Sequence, residues 1–292
     1  MGLTLSMTRG SLLKELAREI LGEGVAEKVW RRVEFIGDLA LIRTPLDMSP
    51  EELKPLALEI LKRFNFVKSV WAAIPGVEGP YRLRKHVLLA GEDRSETLYR
   101  EHGCIFKVDI NKVYISPSLN YEHYRIAKLV APGETVLNMF AGAGLFSIII
   151  ARYAKPRKVY SIDINPYAYH YMVENVRLNH VEDVVEPILG DAGEVVNSRL
   201  TNTSDRVLMP YPELALDYLD KTLMALRDGR GWIHVYLHVK TAKGEHYLTK
   251  AEQLVAEKLA SLGVRNYDIS SKRKIRNVGP RTHQVVVDIK IL

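Results

Sequence analysis

The stretch Asn138-Met-Phe-Ala-Gly-Ala-Gly-Leu-Phe-Ser147, answered by Ser161-Ile-Asp-Ile-Asn-Pro166, constrains this chain more than any other. An apolar run ends in Gly142 and Gly144, which let the backbone turn tightly and a ligand lie against it before a helix starting near Leu145. Asp163 ends the next apolar strand, Lys158-Val-Tyr-Ser-Ile-Asp163, where a carboxylate can accept both hydrogen bonds of a ribose diol. The pair predicts a parallel sheet with an adenosine-containing ligand across its strand ends. Ser147 stands where the third glycine of a Gly-x-Gly-x-x-Gly loop would pack, which argues against a pyrophosphate. A loop with no phosphate to cradle suits S-adenosylmethionine, with Asp163 on the ribose.

From Glu134 onward, short β-rich runs alternate with helical periodicity. Strands are predicted at 135–138, 159–164, 184–189, 205–209, 232–239 and 285–291, with an antiparallel partner around Asp268 to Ser271. Helices are predicted over 166–179, 212–227 and 250–262. Seven strands with an antiparallel edge give an α/β, Rossmann-like class I methyltransferase fold. Asp191 closes the third strand in Ile188-Leu-Gly-Asp-Ala192. There Asp191 and Ala192 can meet the adenine, or the aspartate can simply cap the next helix.

Ahead of this lies a different pattern: an amphipathic helix, Leu12 to Leu21, an alternating strand, Val33 to Ile42, a helix, Pro50 to Phe64, and a strand, Val67 to Ala73. A basic strand, Tyr81 to Ala90, puts Arg82, Arg84 and His86 on one face. We therefore expect a small α+β domain over residues 1–130 and the cofactor domain over 131–292. A second basic group, Lys272-Arg-Lys-Ile-Arg276, lies near the end of the chain. Two such groups flanking the cofactor domain fit RNA phosphates, although solvated strand edges would look the same.

Composition narrows the class. The chain has 292 residues and is 47% hydrophobic, enough for packed cores. No run approaches a membrane span and no signal-peptide pattern opens the chain, so a cytoplasmic protein is expected. The single cysteine, Cys104, excludes an intramolecular disulfide and a multi-cysteine zinc site, and no metal site is expected. Forty-one Lys and Arg against 35 Asp and Glu leave a charge of +6, a mild bias toward polyanions. A monomer is the default expectation.

Several blocks in order carry a resemblance to a known family: Ile36-Gly-Asp-Leu-Ala-Leu-Ile42, Tyr81-Arg-Leu-Arg-Lys85, Tyr99-Arg-Glu-His-Gly-Cys-Ile-Phe-Lys-Val-Asp109, Val113-Tyr-Ile-Ser-Pro117, Asn138-Met-Phe-Ala-Gly142 and Asp205-Arg-Val-Leu-Met209. Together they resemble the tRNA (guanine-37 N1)-methyltransferases of the Trm5 type and the related wybutosine-pathway transferases. The resemblance implies methyl transfer from S-adenosylmethionine to N1 of guanine 37, beside the tRNA anticodon. That reaction needs a base near N1 and a donor for charge growing on O6. By resemblance Glu122 is the base and Arg82 the cation, and Tyr114 meets the flipped guanine. Ser116, His123, Phe140, Gly142, Gly144, Asp163, Asp191 and Ala192 are the implied cofactor contacts.

The chain also departs from the family pattern. Met209-Pro-Tyr-Pro212 lies where relatives grip the purine edge with an asparagine. Pro210 removes both an amide side chain and a backbone donor, while Pro212 matches and Tyr211 can stack on the base. Ser118 and His123 replace arginines, and the chain is read as lacking an extra N-terminal domain, so recognition is expected to rest on the anticodon arm. Two alternatives stay open: a wybutosine-pathway enzyme moving a methyl or aminocarboxypropyl group onto a modified guanine 37, and a non-catalytic RNA-binding protein.

Overall fold

The structure is a computed structural model describing residues 11–76, 81 and 83–292. The chain divides into two compact units, Met1–Pro117 and Ser118–Leu292.

The first unit contains helices α1 (Leu12–Leu21), α2 (Glu23–Lys28) and α3 (Lys54–Arg63), with strands β1 (Glu34–Ile36), β2 (Leu39–Arg43), β3 (Ser69–Ala73), β4 (His86–Gly91), β5 (Glu96–Glu101) and β6 (Cys104–Asp109). Strands β1 to β4 form one sheet in that order, with β2 and β3 parallel across the α3 crossover; β5 and β6 form a separate hairpin. Leu13, Leu16 and Ala17 of α1 and Leu56, Ala57 and Ile60 of α3 share a core with Ala40, Ile42, Val70 and Ala72 of the sheet.

Two sequence expectations change here. The single strand Val33 to Ile42 is broken into β1 and β2, because Gly37 turns the chain with φ +57° and any side chain there would collide with Thr97 and the Leu98 carbonyl. The basic strand begins only at His86, since its partner β3 ends at Ala73, opposite that residue. Arg84 precedes it in irregular chain, so of the described residues in the charged face expected over Arg82, Arg84 and His86, only His86 is carried by the strand. Arg82 itself lies outside the described residues.

The second unit opens with α4 (Asn120–Leu129), which packs on the helix after the glycine loop. That packing puts α4 with the cofactor domain, so the division falls at 117/118 instead of near 130. There follow β7 (Thr135–Asn138), α5 (Leu145–Ala154), β8 (Lys158–Asp163), α6 (Pro166–Leu178), β9 (Val185–Leu189), α7 (Ala192–Val195), β10 (Arg206–Met209), α8 (Leu219–Ala225), β11 (Gly231–Lys240), α9 (Tyr247–Ser261), β12 (Tyr267–Gly279) and β13 (Thr282–Ile291). The sheet runs β12-β13-β11-β10-β7-β8-β9, parallel from β11 to β9, with β12 and β13 antiparallel at one edge. This is the expected seven-stranded, Rossmann-like class I methyltransferase sheet. Among its core residues, Val207, Ile233 and Val235 of the strands pack with Leu219 of α8 and Ala251, Val255 and Leu259 of α9.

The helix predicted over 212–227 is shorter. Residues 212–218 make isolated turns, with Ala215 N–H bonded to the Tyr211 carbonyl and Tyr218 N–H to that of Leu214, and α8 begins at Leu219. Two prolines at its entry leave fewer donors for a continuous ladder. Conversely, the edge strand is longer than Asp268 to Ser271. It takes the basic cluster Lys272–Arg276 into β12, with three register shifts against β13. No described helix is long and apolar enough to cross a membrane.

Candidate active site

Strands β7, β8, β9 and β10 all end on the same side of the sheet, at Asn138, Asp163, Leu189 and Met209, and of the expected cofactor residues Phe140, Gly142, Gly144, Asp163, Asp191 and Ala192 lie at or just after these ends. Gly142 and Gly144 both take left-handed conformations, with φ +56° and +91°. Gly144 caps α5, and a Cβ on it would come within 3.0 Å of Met172 Cγ and 3.3 Å of Ile148 Cδ1. Its bare Cα therefore serves the packing of α5 against α6 as well as the turn.

Asp163 locks this loop to β8. Its Oδ2 accepts the Gly142 N–H at 2.7 Å and its Oδ1 the Asn165 N–H at 2.9 Å. Burial raises its carboxyl above the ordinary value, and the two N–H groups work against that rise. Each oxygen keeps a lone pair for a further donor. Beside Asp163 in the chain, Ile164 is 56% exposed, an apolar surface at the strand end that the sequence alone did not single out.

Ser147, in the place of the third glycine, is fully buried and accepts from Asn138 Nδ2 at 3.1 Å and from Ser161 Oγ at 2.7 Å. Asn138 Oδ1 is buried with no hydrogen-bond partner. Such an orphan acceptor is costly unless a donor arrives.

Asp191 is indeed a helix cap. Its Oδ1 accepts the Gly193 and Glu194 N–H groups at 2.8 and 3.0 Å, and its Oδ2 accepts the Tyr218 hydroxyl. Tyr218 is pushed up to about 12, by burial and then by Asp191. Its ring meets Phe140 edge-on at 5.3 Å, and Phe140 meets Tyr211 at 5.5 Å. Thus Phe140, Asp191 and Tyr211 stand in one aromatic cluster organised by Tyr218, with Pro210 and Pro212 flanking Tyr211 and Ala192 buried at the start of α7.

Glu122 sits in the first turn of α4 and is only 2% exposed. Arg125 Nε contacts both of its oxygens, at 3.1 and 3.0 Å, Arg125 Nη2 donates to Oε1 at 2.6 Å, and the Tyr236 hydroxyl donates to Oε1 at 2.9 Å. Burial raises the Tyr236 phenol well above its ordinary value, and the Glu122 carboxylate adds to the rise. On the outer side, Arg273 Nη1 lies 3.9 Å from Glu122 Oε2 while its guanidinium covers the exposed Tyr121 ring at 4.6 Å. His123, beside Glu122, is buried edge-on to Phe146 at 4.4 Å.

The rest of the basic cluster is already engaged: Lys272 with Glu252, Lys274 over Tyr247 at 5.1 Å, and Arg276 with Gln284 at 2.7 Å and with Ser118 at 2.5 Å. Tyr114, 57% exposed, and Ser116, buried, belong to the first unit. Tyr218 and Tyr236 carry no signal in the sequence, whereas Arg125 stands at the i,i+3 spacing from Glu122 that pairs charges on a helix. Tyr236 lies 114 positions from Glu122, and no local pattern links them.

Residues 97–262 match the TRM5/TYW2 methyltransferase domain. The chain is 42% identical to the tRNA 4-demethylwyosine(37)-methyltransferase Taw21 of Saccharolobus solfataricus, over 90% of this chain and 95% of that protein. It is 37% identical to the tRNA (guanine(37)-N(1))-methyltransferase Trm5b of Pyrococcus abyssi, over 88% of this chain and 74% of that one. The crystal structure of Methanocaldococcus jannaschii TYW2 in complex with AdoMet superposes with a TM-score of 0.65 at 29% identity, covering 89% of this chain and 98% of its own. With the sheet order and the glycine loop, these matches establish that the chain belongs to the TRM5/TYW2 methyltransferase family.

Proposed function

We propose that this protein is an S-adenosylmethionine-dependent methyltransferase acting on the base at position 37 of tRNA. The cofactor supplies an electrophilic methyl group on a cationic sulfur. Asp163 would hold the ribose diol through the lone pairs its backbone bonds leave free, and Asp191 and Ala192, with Phe140, would face the adenine. Asn138 Oδ1, the orphan acceptor at the tip of β7, fits the cofactor's ammonium group. Ser116, His123, Gly142 and Gly144 complete the expected contacts.

Methylating a ring position that carries hydrogen releases one proton, so a base is required. Glu122 takes that role in this reading, with Arg82 as the cation for charge developing on the base and Tyr114 as its stacking partner. The carboxylate of Glu122 is fixed in direction by Arg125 and Tyr236, the preorganisation a positioned base needs.

Two substrates are compatible with the family: guanine 37, methylated at N1, and 4-demethylwyosine, the modified base named for Taw21. The observation that favours 4-demethylwyosine is the loop Pro210-Tyr211-Pro212. It offers an aromatic face beside Phe140 in place of an asparagine amide, which suits a broader base held by stacking. The 42% identity with Taw21 over nearly its whole length supports the same choice. The 37% identity with Trm5b keeps N1 of guanine 37 as the second reading.

Reaction with S-adenosylmethionine and tRNA carrying either base, followed by mass spectrometry of nucleosides and co-products, tests this directly. Methyl transfer makes the nucleoside about 14 Da heavier and leaves S-adenosylhomocysteine; aminocarboxypropyl transfer leaves methylthioadenosine. A product only from 4-demethylwyosine is expected. A product only from guanine 37 would reverse the choice of substrate, and methylthioadenosine would refute methyl transfer.

A further inference from the structure

Glu122 is one end of a buried chain of charges. Arg125 donates through Nη1 to Asp288 Oδ2 at 2.6 Å and through Nη2 to Asp288 Oδ1 at 3.2 Å. Asp288 Oδ1 in turn lies 2.6 Å from His234 Nδ1, and His234 Nε2 lies 2.8 Å from Arg206 Nη1. Arg206 then pairs with both oxygens of Glu134, at 2.7 and 3.0 Å. An arginine is always a donor, so His234 Nε2 must accept and Nδ1 must carry the hydrogen that Asp288 receives. One tautomer is fixed, and with it the rotamer of Asp288.

The charges are informative. Three carboxylates (Glu122, Asp288, Glu134) face two guanidiniums (Arg125, Arg206) around a neutral imidazole, an excess of one negative charge. A third cation, Arg273, meets that excess at ion-pair distance. Arg273, partly exposed, approaches the Glu122 end from outside at 3.9 Å, beyond hydrogen-bonding distance.

We infer that Asp288, oriented by His234 and acting through Arg125, is the positioning residue that holds the Glu122 carboxylate aimed for proton uptake. Arg125 has two edges. Asp288 occupies one, so the other is presented to Glu122 in a single orientation. This inference rests on the reading of Glu122 as the base.

The test is a double-mutant cycle on the full-length protein, in single-turnover methyl transfer at saturating tRNA and S-adenosylmethionine, with dissociation constants and thermal midpoints measured alongside. Asp288→Asn should slow transfer by roughly tenfold or more with both dissociation constants unchanged, and should slow it no further in a Glu122→Gln background. Equal slowing in both backgrounds would overturn the positioning role. Full activity of Glu122→Gln would instead overturn the assignment of the base. If Asp288→Asn does not fold, Arg125→Lys, which keeps the charge but cannot bridge both carboxylates, carries the same comparison.

Discussion

Asp163 and His234 show how differently buried polar groups act at the scale of single residues. Asp163 ties the glycine loop to β8 through two backbone N–H groups, which leaves each of its oxygens a further lone pair. Asp163→Asn should weaken S-adenosylmethionine binding by roughly tenfold, since one acceptor oxygen becomes a donor. Isothermal titration checks this, and unchanged affinity would remove Asp163 from the ribose. His234 is fully enclosed, and burial holds its imidazole below the ordinary value even with Asp288 beside it. In the unfolded chain it titrates near about 6.5. The folded value is depressed, so the unfolded state takes the proton first and stability falls as pH drops below about 6.5. His86, which burial lowers to about 4, acts in the same direction. For Asp288 burial works upward, but His234 and Arg125 prevail and hold its carboxyl well below the usual range. Its contribution is therefore lost at still lower pH, below about 4. The thermal midpoint should fall between about pH 7 and pH 5, and His234→Gln should fall less steeply there. A wild-type midpoint flat across that window would contradict a neutral His234.

At the scale of elements, strands whose apolar residues are buried on both faces were the most legible. Runs such as Val136-Leu137 and Val207-Leu208 announce themselves, and the glycine loop between β7 and α5 is a local signal. Boundaries set by distant partners were not legible. The split of β1 from β2 depends on Thr97 lying against Gly37, and the late start of β4 depends on where β3 ends. The β5–β6 hairpin lacks a strong turn signal. Asp191 reads from sequence first as an adenine contact and second as a helix cap, and the structure supplies its capping bonds. The environment of Glu122 was hidden because Arg125 meets Asp288 across 163 positions. Strand β12 carries its own prediction. Replacing Arg273, Lys274 and Arg276 together with alanine should weaken tRNA binding and flatten its dependence on salt, by roughly 0.7–0.9 in log–log slope for each phosphate no longer neutralised. Filter-binding titrations across salt concentrations check this, and an unchanged slope would mean that this edge does not meet RNA.

At the scale of the whole molecule, a seven-stranded sheet places the glycine loop, Asp163 and the Phe140–Tyr211–Tyr218 cluster at one set of strand ends. In the same unit, a buried run of charge leads to Glu122. Family membership joins these features to tRNA modification, and the Pro210 loop bears on which base is modified. The most direct measurement is transfer of an isotopically labelled methyl group from S-adenosylmethionine to tRNA, with the label located by nuclease fragmentation and mass spectrometry. The expected result is one label per tRNA, confined to position 37 and absent when that position carries adenine. Label at another nucleotide, or none with either guanine 37 or 4-demethylwyosine, would contradict the account.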